Sequence, residues 1–469
     1  MRYVSTRGQA PTLGFEDVLL TGLARDGGLY VPQAWPTLGT DQIATMAAKP
    51  YEAVALEVMR PFIGGEIPER EFEAIIAEAY RGFAHRTVAP LVQVGASDWI
   101  LELFHGPTLA FKDVAMQVLG RLMDRTLQRR RQRATIVGAT SGDTGGAAIE
   151  AFRGREAIDI FILFPKGRVS GVQRRQMTTP NEANVHAIAV EGTFDDCQAL
   201  VKAMFNDLAL RDRLQLAGVN SINWARLMAQ IVYYFTSAVA LGAPERRVSF
   251  TVPTGNFGDI FAGYAARCMG LPIEKLVIAT NVNDILMRTF ETGEYRPLTT
   301  TATASPSMDI QISSNFERLL FELGGRQASR VAGHMASLAK SGAFRLDQDE
   351  RASLAELFQA GRTDEAQTLA TIRQLNAATG YLVDPHTAVG YAVAQKVARD
   401  PAVPMITLAT AHPAKFPDAI RAAIGAAPPE PDSVRRQASL PERMTLLPND
   451  LAAVAAHIGA ATRVGKVAA

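Results

Sequence analysis

A chain of 469 residues with 48% hydrophobic content can fill two or three cores, and 48 basic against 47 acidic side chains leave a net charge of +1, too little for bulk attraction to nucleic acid or an anionic membrane. Its two cysteines, Cys197 and Cys268, give no disulfide framework and suit a reducing compartment. No apolar run approaches the roughly 18 residues of a membrane span and no apolar leader follows Arg2 and Arg7, so a cytoplasmic protein is expected.

Up to about residue 95 the pattern is mostly helical, with Gln42 to Met59 and Glu69 to Phe83 as candidates, interrupted by Pro50, Pro61 and Pro68. This predicts an N-terminal helical domain over 1–95. From Trp99 onward, short β-rich runs alternate with helical patterns. The strand candidates are Trp99–Phe104, Ala134–Gly138, Ile158–Phe164, Val185–Val190, Val248–Val252, Leu276–Thr280 and Met405–Ala409. Such alternation predicts an α/β protein with parallel-rich sheets, whose ligands bind outside the carboxyl ends of the strands. The basic run Arg129 to Arg133 reads as a solvated helix terminus rather than a nucleic-acid patch. Pro428, Pro429 and Pro431 mark a loop before a C-terminal helical tail.

Three turns at strand ends carry chemistry. The first, His105 to Asp113 (HGPTLAFKD), places Lys112 at the mouth of a helix directly after an apolar strand. The helix dipole and the neighbouring Phe111 both disfavour a protonated ammonium there, and a partly neutral lysine can form a Schiff base. The second turn, Thr140, Ser141, Gly142, Asp143, Thr144, Gly145 and Gly146, follows the strand Ala134–Gly138 and opens a helix. It fits neither the nucleotide P-loop nor the dinucleotide glycine spacing. Its hydroxyls and free N–H groups suit a carboxylate, or else Ser141 and Thr144 only cap the helix. The third turn, Gly255, Asn256, Phe257, Gly258 and Asp259, lies between a strand and a helix and reads as a phosphate cradle of backbone N–H groups. The seven histidines show no metal-ligand spacing, so no metal is expected.

An amine, a phosphate cradle and a carboxylate cradle are what pyridoxal 5′-phosphate needs to act on an amino acid. The three turns, with Ser313-Ser314-Asn315-Phe316-Glu317-Arg318, Asp384 to Ala388 (DPHTA) and Thr410 to Phe416 (TAHPAKF), resemble threonine synthase in sequence order, as do Tyr3 to Gly8 and Asp26 to Pro32 near the start. The resemblance implies the second pyridoxal-phosphate fold type, like the tryptophan synthase β chain. It divides the chain into the N-terminal domain, a large cofactor-binding domain over 96–129 and 246–469, and a smaller inserted α/β domain over 130–245.

The same resemblance implies residue roles. Lys112 would hold the cofactor and move protons at the substrate; Gly255 to Asp259 would line its phosphate site, and Thr410 would face the pyridine nitrogen. The carboxylate of Asp259 would repel a phosphate unless turned away, so it is expected to cap its helix or accept a backbone donor. Thr140 to Thr144 would receive the substrate carboxylate. The reaction implied is conversion of O-phospho-L-homoserine and water to L-threonine and phosphate, by a monomer or homodimer. Thr108, Ser313, Ser314, Asn315, Arg318 and Lys415 are candidates for the leaving phosphate, although Arg318 could equally pair with Glu322 one turn on. A related dehydratase or β-replacement enzyme, or a silent homologue that binds a phosphorylated amino acid, are the alternatives.

Overall fold

The computed structural model describes residues 1–465. The alternation of β-rich runs and helices builds two sheets. The larger has six strands in the order Phe358–Arg362, Ile273–Thr280, Val248–Pro253, Met405–Ala409, Asp98–Glu102 and Leu91–Gln93, parallel except for the last pair. The smaller runs Thr445–Pro448, Val185–Glu191, Ile158–Pro165, Ala134–Ala139 and Leu216–Ala217, parallel throughout. Every residue of Val248–Pro253, Met405–Ala409 and Ile158–Pro165 is buried, as strands covered by helices on both faces must be. Among the described residues no helix is long and apolar enough to cross a membrane.

The N-terminal region differs in detail from the expected helices. The stretch from Gln42 to Met59 splits at Lys49 and Pro50 into Thr40–Thr45, a short 3₁₀ turn and Tyr51–Ile63. Pro50 and Pro68 stand immediately before helices, where a missing N–H costs nothing. Pro61 instead lies inside Tyr51–Ile63 without ending it, and the helix stops at Gly64 in the left-handed region. A two-stranded ribbon of Tyr3–Ser5 and Tyr30–Pro32 was not expected. Tyr3 and Phe62 pack on Trp224, so this region shares its core with the rest of the molecule. The basic run also has an internal partner: Arg129 and Arg130 both reach the buried carboxylate of Glu16.

The tail lies elsewhere than expected. Thr445–Pro448 extends the smaller sheet beside Val185–Glu191, and Val454 and Ile458 of the helix Leu451–Ala461 pack with Val137, Phe161 and Ile188. The end is held by the buried Asp159, which accepts from the Arg463 backbone at 2.7 Å and from its Nε at 2.6 Å. Together with Leu200 and Met204 of the helix Phe194–Asn206, Val454 and Ile458 complete a cluster on one face of the smaller sheet, and burial of that apolar surface holds the tail there.

The helix Lys112–Arg129 packs against Asp143–Phe152 and against Trp224–Ala240. Gly120 permits the first of these contacts. A Cβ there would stand 2.5 Å from the carbonyl oxygen of Ala151. Gly120→Ala should therefore destabilise the protein by roughly 1–3 kcal/mol despite alanine's better helix propensity, read as a lower denaturation midpoint in urea.

Candidate active site

Three neighbouring strands of the larger sheet, Val248–Pro253, Met405–Ala409 and Asp98–Glu102, end on the same edge. At about 4.8 Å per strand their following loops share one short stretch of sheet edge. Two of these loops are laced together. Leu103 donates to the Ala409 carbonyl at 3.0 Å, Phe111 to Thr410 at 2.8 Å and His412 to Leu109 at 3.0 Å. Lys112 then begins its helix, and Thr410 is fixed in the adjoining loop. The Thr410 hydroxyl makes no hydrogen bond among the described residues.

Asp113 closes the lysine loop from below. Its carboxylate accepts from the Thr108 backbone and the Thr108 hydroxyl, each at 2.7 Å. Gly106 leaves room for this, since a Cβ there would lie 2.4 Å from the Asp113 Cβ. Burial pushes Asp113 up to about 6 against those two hydrogen bonds.

Lys112 is 8% exposed, and its amine lies 3.8 Å from Asp143 Oδ2 and 4.7 Å from the centroid of the Phe111 ring. Burial pushes it down to about 8, opposed by the attraction of Asp143 and reinforced by Lys415 and Arg226. Desolvation is thus the leading cause of the shift. Asp143 is held well below the usual carboxylate range: burial works to raise it, but Lys415 and Lys112 outweigh that.

The turn from Thr140 is organised by one hydroxyl. Thr140 Oγ1 accepts from the backbones of Gly142 and Gly145, each at 2.9 Å, while Gly142 takes φ +146°. Ser141 and Thr144 do not cap the helix Asp143–Phe152: its N-cap residue is Gly142, and the side chain that accepts from its first turn is Thr140. Both are half-buried and make no side-chain hydrogen bond among the described residues.

The turn Gly255 to Asp259 is held by its carbonyls. Ser313 Oγ donates to the Gly255 carbonyl at 2.7 Å, and the Asn315 backbone and Nδ2 both donate to the Asn256 carbonyl at 3.0 Å. Ser314 Oγ donates to Asn256 Oδ1 at 3.1 Å. Phe257 adopts φ +63° and the helix Gly258–Cys268 starts at once. The N–H groups of Asn256, Phe257, Gly258 and Asp259 have no acceptor among the described residues, which makes a concave set of donors. Asp259 neither caps the helix nor accepts a backbone donor. It turns back to accept from the Tyr233 and Tyr234 hydroxyls, and burial pushes it up to about 6 against those bonds.

Several candidates for the leaving phosphate are committed elsewhere. Arg318 is fully buried and donates to the carbonyls of Tyr30 and Ile222 and to Asn315 Oδ1. Glu322 pairs with Arg326 instead. Ser313 and Asn315 buttress the glycine turn, and Thr108 is used by Asp113, Gln176 and Lys415. Lys415 is fully buried between the Thr108 carbonyl at 2.7 Å and Asp143 Oδ1 at 2.8 Å.

Arg226 escaped the sequence reading. It is 4% exposed, donates to the Val219 carbonyl at 3.1 Å, and has a buried Nε without a partner. No carboxylate pairs with it among the described residues, and burial pushes it down to about 10. A signal existed: Arg226 is the one charged residue in the otherwise apolar or neutral stretch Trp224–Ala240.

A buried amine of lowered pKa, a donor cradle without acceptors and an uncommitted hydroxyl on one sheet edge fit pyridoxal 5′-phosphate. That class is matched directly: residues 87–354 fit the family model described as pyridoxal-phosphate dependent enzyme. Residues 2–80 fit threonine synthase N terminus, and 387–458 fit threonine synthase, C-terminal. The threonine synthase of Pseudomonas aeruginosa is 53% identical over 99% of this chain and 100% of its own length. That of Saccharomyces cerevisiae is 42% identical over 90% of this chain and 89% of its own. Among solved structures, the pyridoxal-phosphate-bound threonine synthase of Brucella melitensis aligns with a TM-score of 0.97 at 59% identity, covering 99% of this chain and 100% of that one. The Escherichia coli threonine synthase aligns with a TM-score of 0.83 at 33% identity over 98% and 100%. The chain belongs to the threonine synthase family of pyridoxal-phosphate-dependent enzymes.

The burial of Arg318 makes a prediction that separates structure from anion binding. Arg318→Met leaves two buried carbonyls without donors and should lower stability by on the order of 3 kcal/mol, measured by denaturant unfolding. Retained stability together with weakened phosphate binding would reverse this assignment.

Proposed function

We propose that the chain converts O-phospho-L-homoserine and water to L-threonine and phosphate, with Lys112 as the amine that carries the cofactor. The observation that carries this reading is the surplus of buried positive charge. Lys112 and Lys415 share Asp143, and Arg226 has no acid at all among the described residues. A buried guanidinium without a counter-ion is costly unless a ligand supplies the anion. A dehydratase acting on serine or threonine would bring no second phosphate to it.

When bound, pyridoxal 5′-phosphate supplies an electron-withdrawing ring that lets carbon-bound protons of an attached amino acid ionise. The cradle of Asn256 to Asp259 would hold the cofactor phosphate through its N–H groups, and the Thr410 hydroxyl would serve the ring nitrogen. Thr140, Ser141 and Thr144 receive the substrate carboxylate at the head of the helix Asp143–Phe152. Asp143 is compatible with that anion because two lysines offset its charge. Arg226 receives the phosphate on the substrate's γ carbon and stabilises it as it leaves. With its amine near neutrality at about 8, Lys112 takes and returns protons at the α and β carbons.

The smaller unit around 130–245, joined by the tail, closes on the larger unit of 96–129 and 246 onward, with 1–95 fixed to both. Closure excludes bulk water from reactive carbon centres. A cytoplasmic monomer or homodimer completes the reading, and the two free thiols support that compartment.

Lys112→Ala should abolish phosphate release from O-phospho-L-homoserine and the borohydride-stable label while leaving the fold intact. Arg226→Met should keep the label on Lys112 yet cut phosphate release by about 100-fold or more. Keto-acid formation from serine at a rate exceeding phosphate release would favour the dehydratase instead.

A further inference from the structure

Two lysines compete for one carboxylate. Asp143 Oδ1 accepts from Lys415 Nζ at 2.8 Å and from Gln173 Nε2 at 2.9 Å, whereas Oδ2 stands 3.8 Å from Lys112 Nζ, beyond hydrogen-bond distance. Lys415 is fully buried, and its other bond runs to the Thr108 carbonyl at 2.7 Å. The sharing is therefore unequal, and it favours the lysine that has no role in carrying the cofactor. We propose that Lys415 is a positioning residue: by holding Asp143 it denies Lys112 a close counter-ion, and so enlarges the uncharged fraction of the Lys112 amine that can attack an aldehyde.

Charged groups on five elements act on Lys112. Asp113 lies on its own helix, Asp143 on Asp143–Phe152, Lys415 on the turn Pro413–Lys415, Arg226 on Trp224–Ala240 and Asp259 on Gly258–Cys268. Asp113 and Asp259 spend their hydrogen bonds on Thr108 and on Tyr233 and Tyr234. His386 acts on Asp143 from the far side, its Nδ1 held by Asp384 at 2.6 Å. Burial is the largest influence against the charged amine; among the charged groups Asp143 most favours it and Lys415 most opposes it. Removing Lys415 frees Asp143 to pair with Lys112 and raises the amine's pKa. Removing Asp143 leaves Lys415 unneutralised beside Lys112 and lowers it. A role in packing alone would not move the two in opposite directions.

The inference rests on Lys112 being the cofactor-carrying amine, and its test keeps the two apart. The full chain, freed of cofactor, is mixed with pyridoxal 5′-phosphate across a range of pH. The unprotonated Lys112 amine attacks the aldehyde carbon, a carbon–nitrogen double bond forms and the carbonyl oxygen leaves as water. Capture is followed by absorbance, and the site is located by borohydride reduction and peptide mass mapping. The unsubstituted chain should be half-maximal near pH 8. Lys415→Met should move the midpoint up by about one unit, a roughly tenfold slower capture at pH 7, while Lys415→Arg keeps it. Asp143→Asn should move it down, and Lys415→Met with Asp143→Asn should return it toward the starting value. A midpoint unmoved by Lys415→Met overturns the proposal. If that variant does not fold, Asp143→Asn decides alone, and an unchanged or raised midpoint has the same effect. A label on another lysine would instead overturn the assignment of Lys112 itself.

Discussion

Withdrawing an amine from water is the constraint around which the centre of this molecule is arranged. Lys112 emerges from a loop that is stitched to its neighbour by backbone bonds on either side, so it cannot swing out to solvent. It must find a counter-charge or lose its proton. Among the described residues the one carboxylate within ion-pair distance is Asp143, and that carboxylate already belongs to Lys415. What remains is an amine biased toward neutrality, the state that nucleophilic and proton-transfer chemistry both need.

The surrounding donors follow from the same constraint. A surplus of buried cations and unpaired N–H groups would be unfavourable as a permanent arrangement, but anionic ligands convert it into binding energy. The turn Gly255 to Asp259 offers backbone donors to one anion, and the Arg226 guanidinium is free of any carboxylate partner among the described residues for another. Carboxylates near the cradle are disarmed by other means: Asp259 faces two tyrosine hydroxyls, and Asp113 is consumed by Thr108. Both are held by those donors and not by the N–H groups of the cradle.

What was legible in the sequence was local. Strand, glycine turn and helix are written in consecutive residues, so Lys112, the turn from Thr140 and the turn from Gly255 could be found by pattern. Partners distant in sequence could not. Arg318 has the look of an anion ligand within its motif, yet its guanidinium is taken by carbonyls of Tyr30 and Ile222, far away along the chain. Asp259 was expected at its own helix and is held by Tyr233 and Tyr234 on another. Arg226 drew no notice because its motif neighbours are apolar, although a lone charge in such a helix is itself informative. The tail failed for a related reason: its apolar residues show that it packs, and only the uncovered face of the smaller sheet shows where.

The charge arrangement also depends on how the two sheets meet. Asp143 begins the helix that follows Ala134–Ala139 of the smaller sheet, whereas Lys112 and Lys415 follow Asp98–Glu102 and Met405–Ala409 of the larger. The pair between Lys415 and Asp143 therefore crosses from one sheet to the other, as does the bond from Gln176 to the Thr108 carbonyl. Separating the sheets would remove Asp143 from both lysines at once and leave two like charges facing each other in a partly dry site. Coulomb repulsion between them rises as solvent is lost, so the docked arrangement is electrostatically preferred once the site is closed. The residues that set the state of the amine are thus the same ones that hold the two halves of the site together.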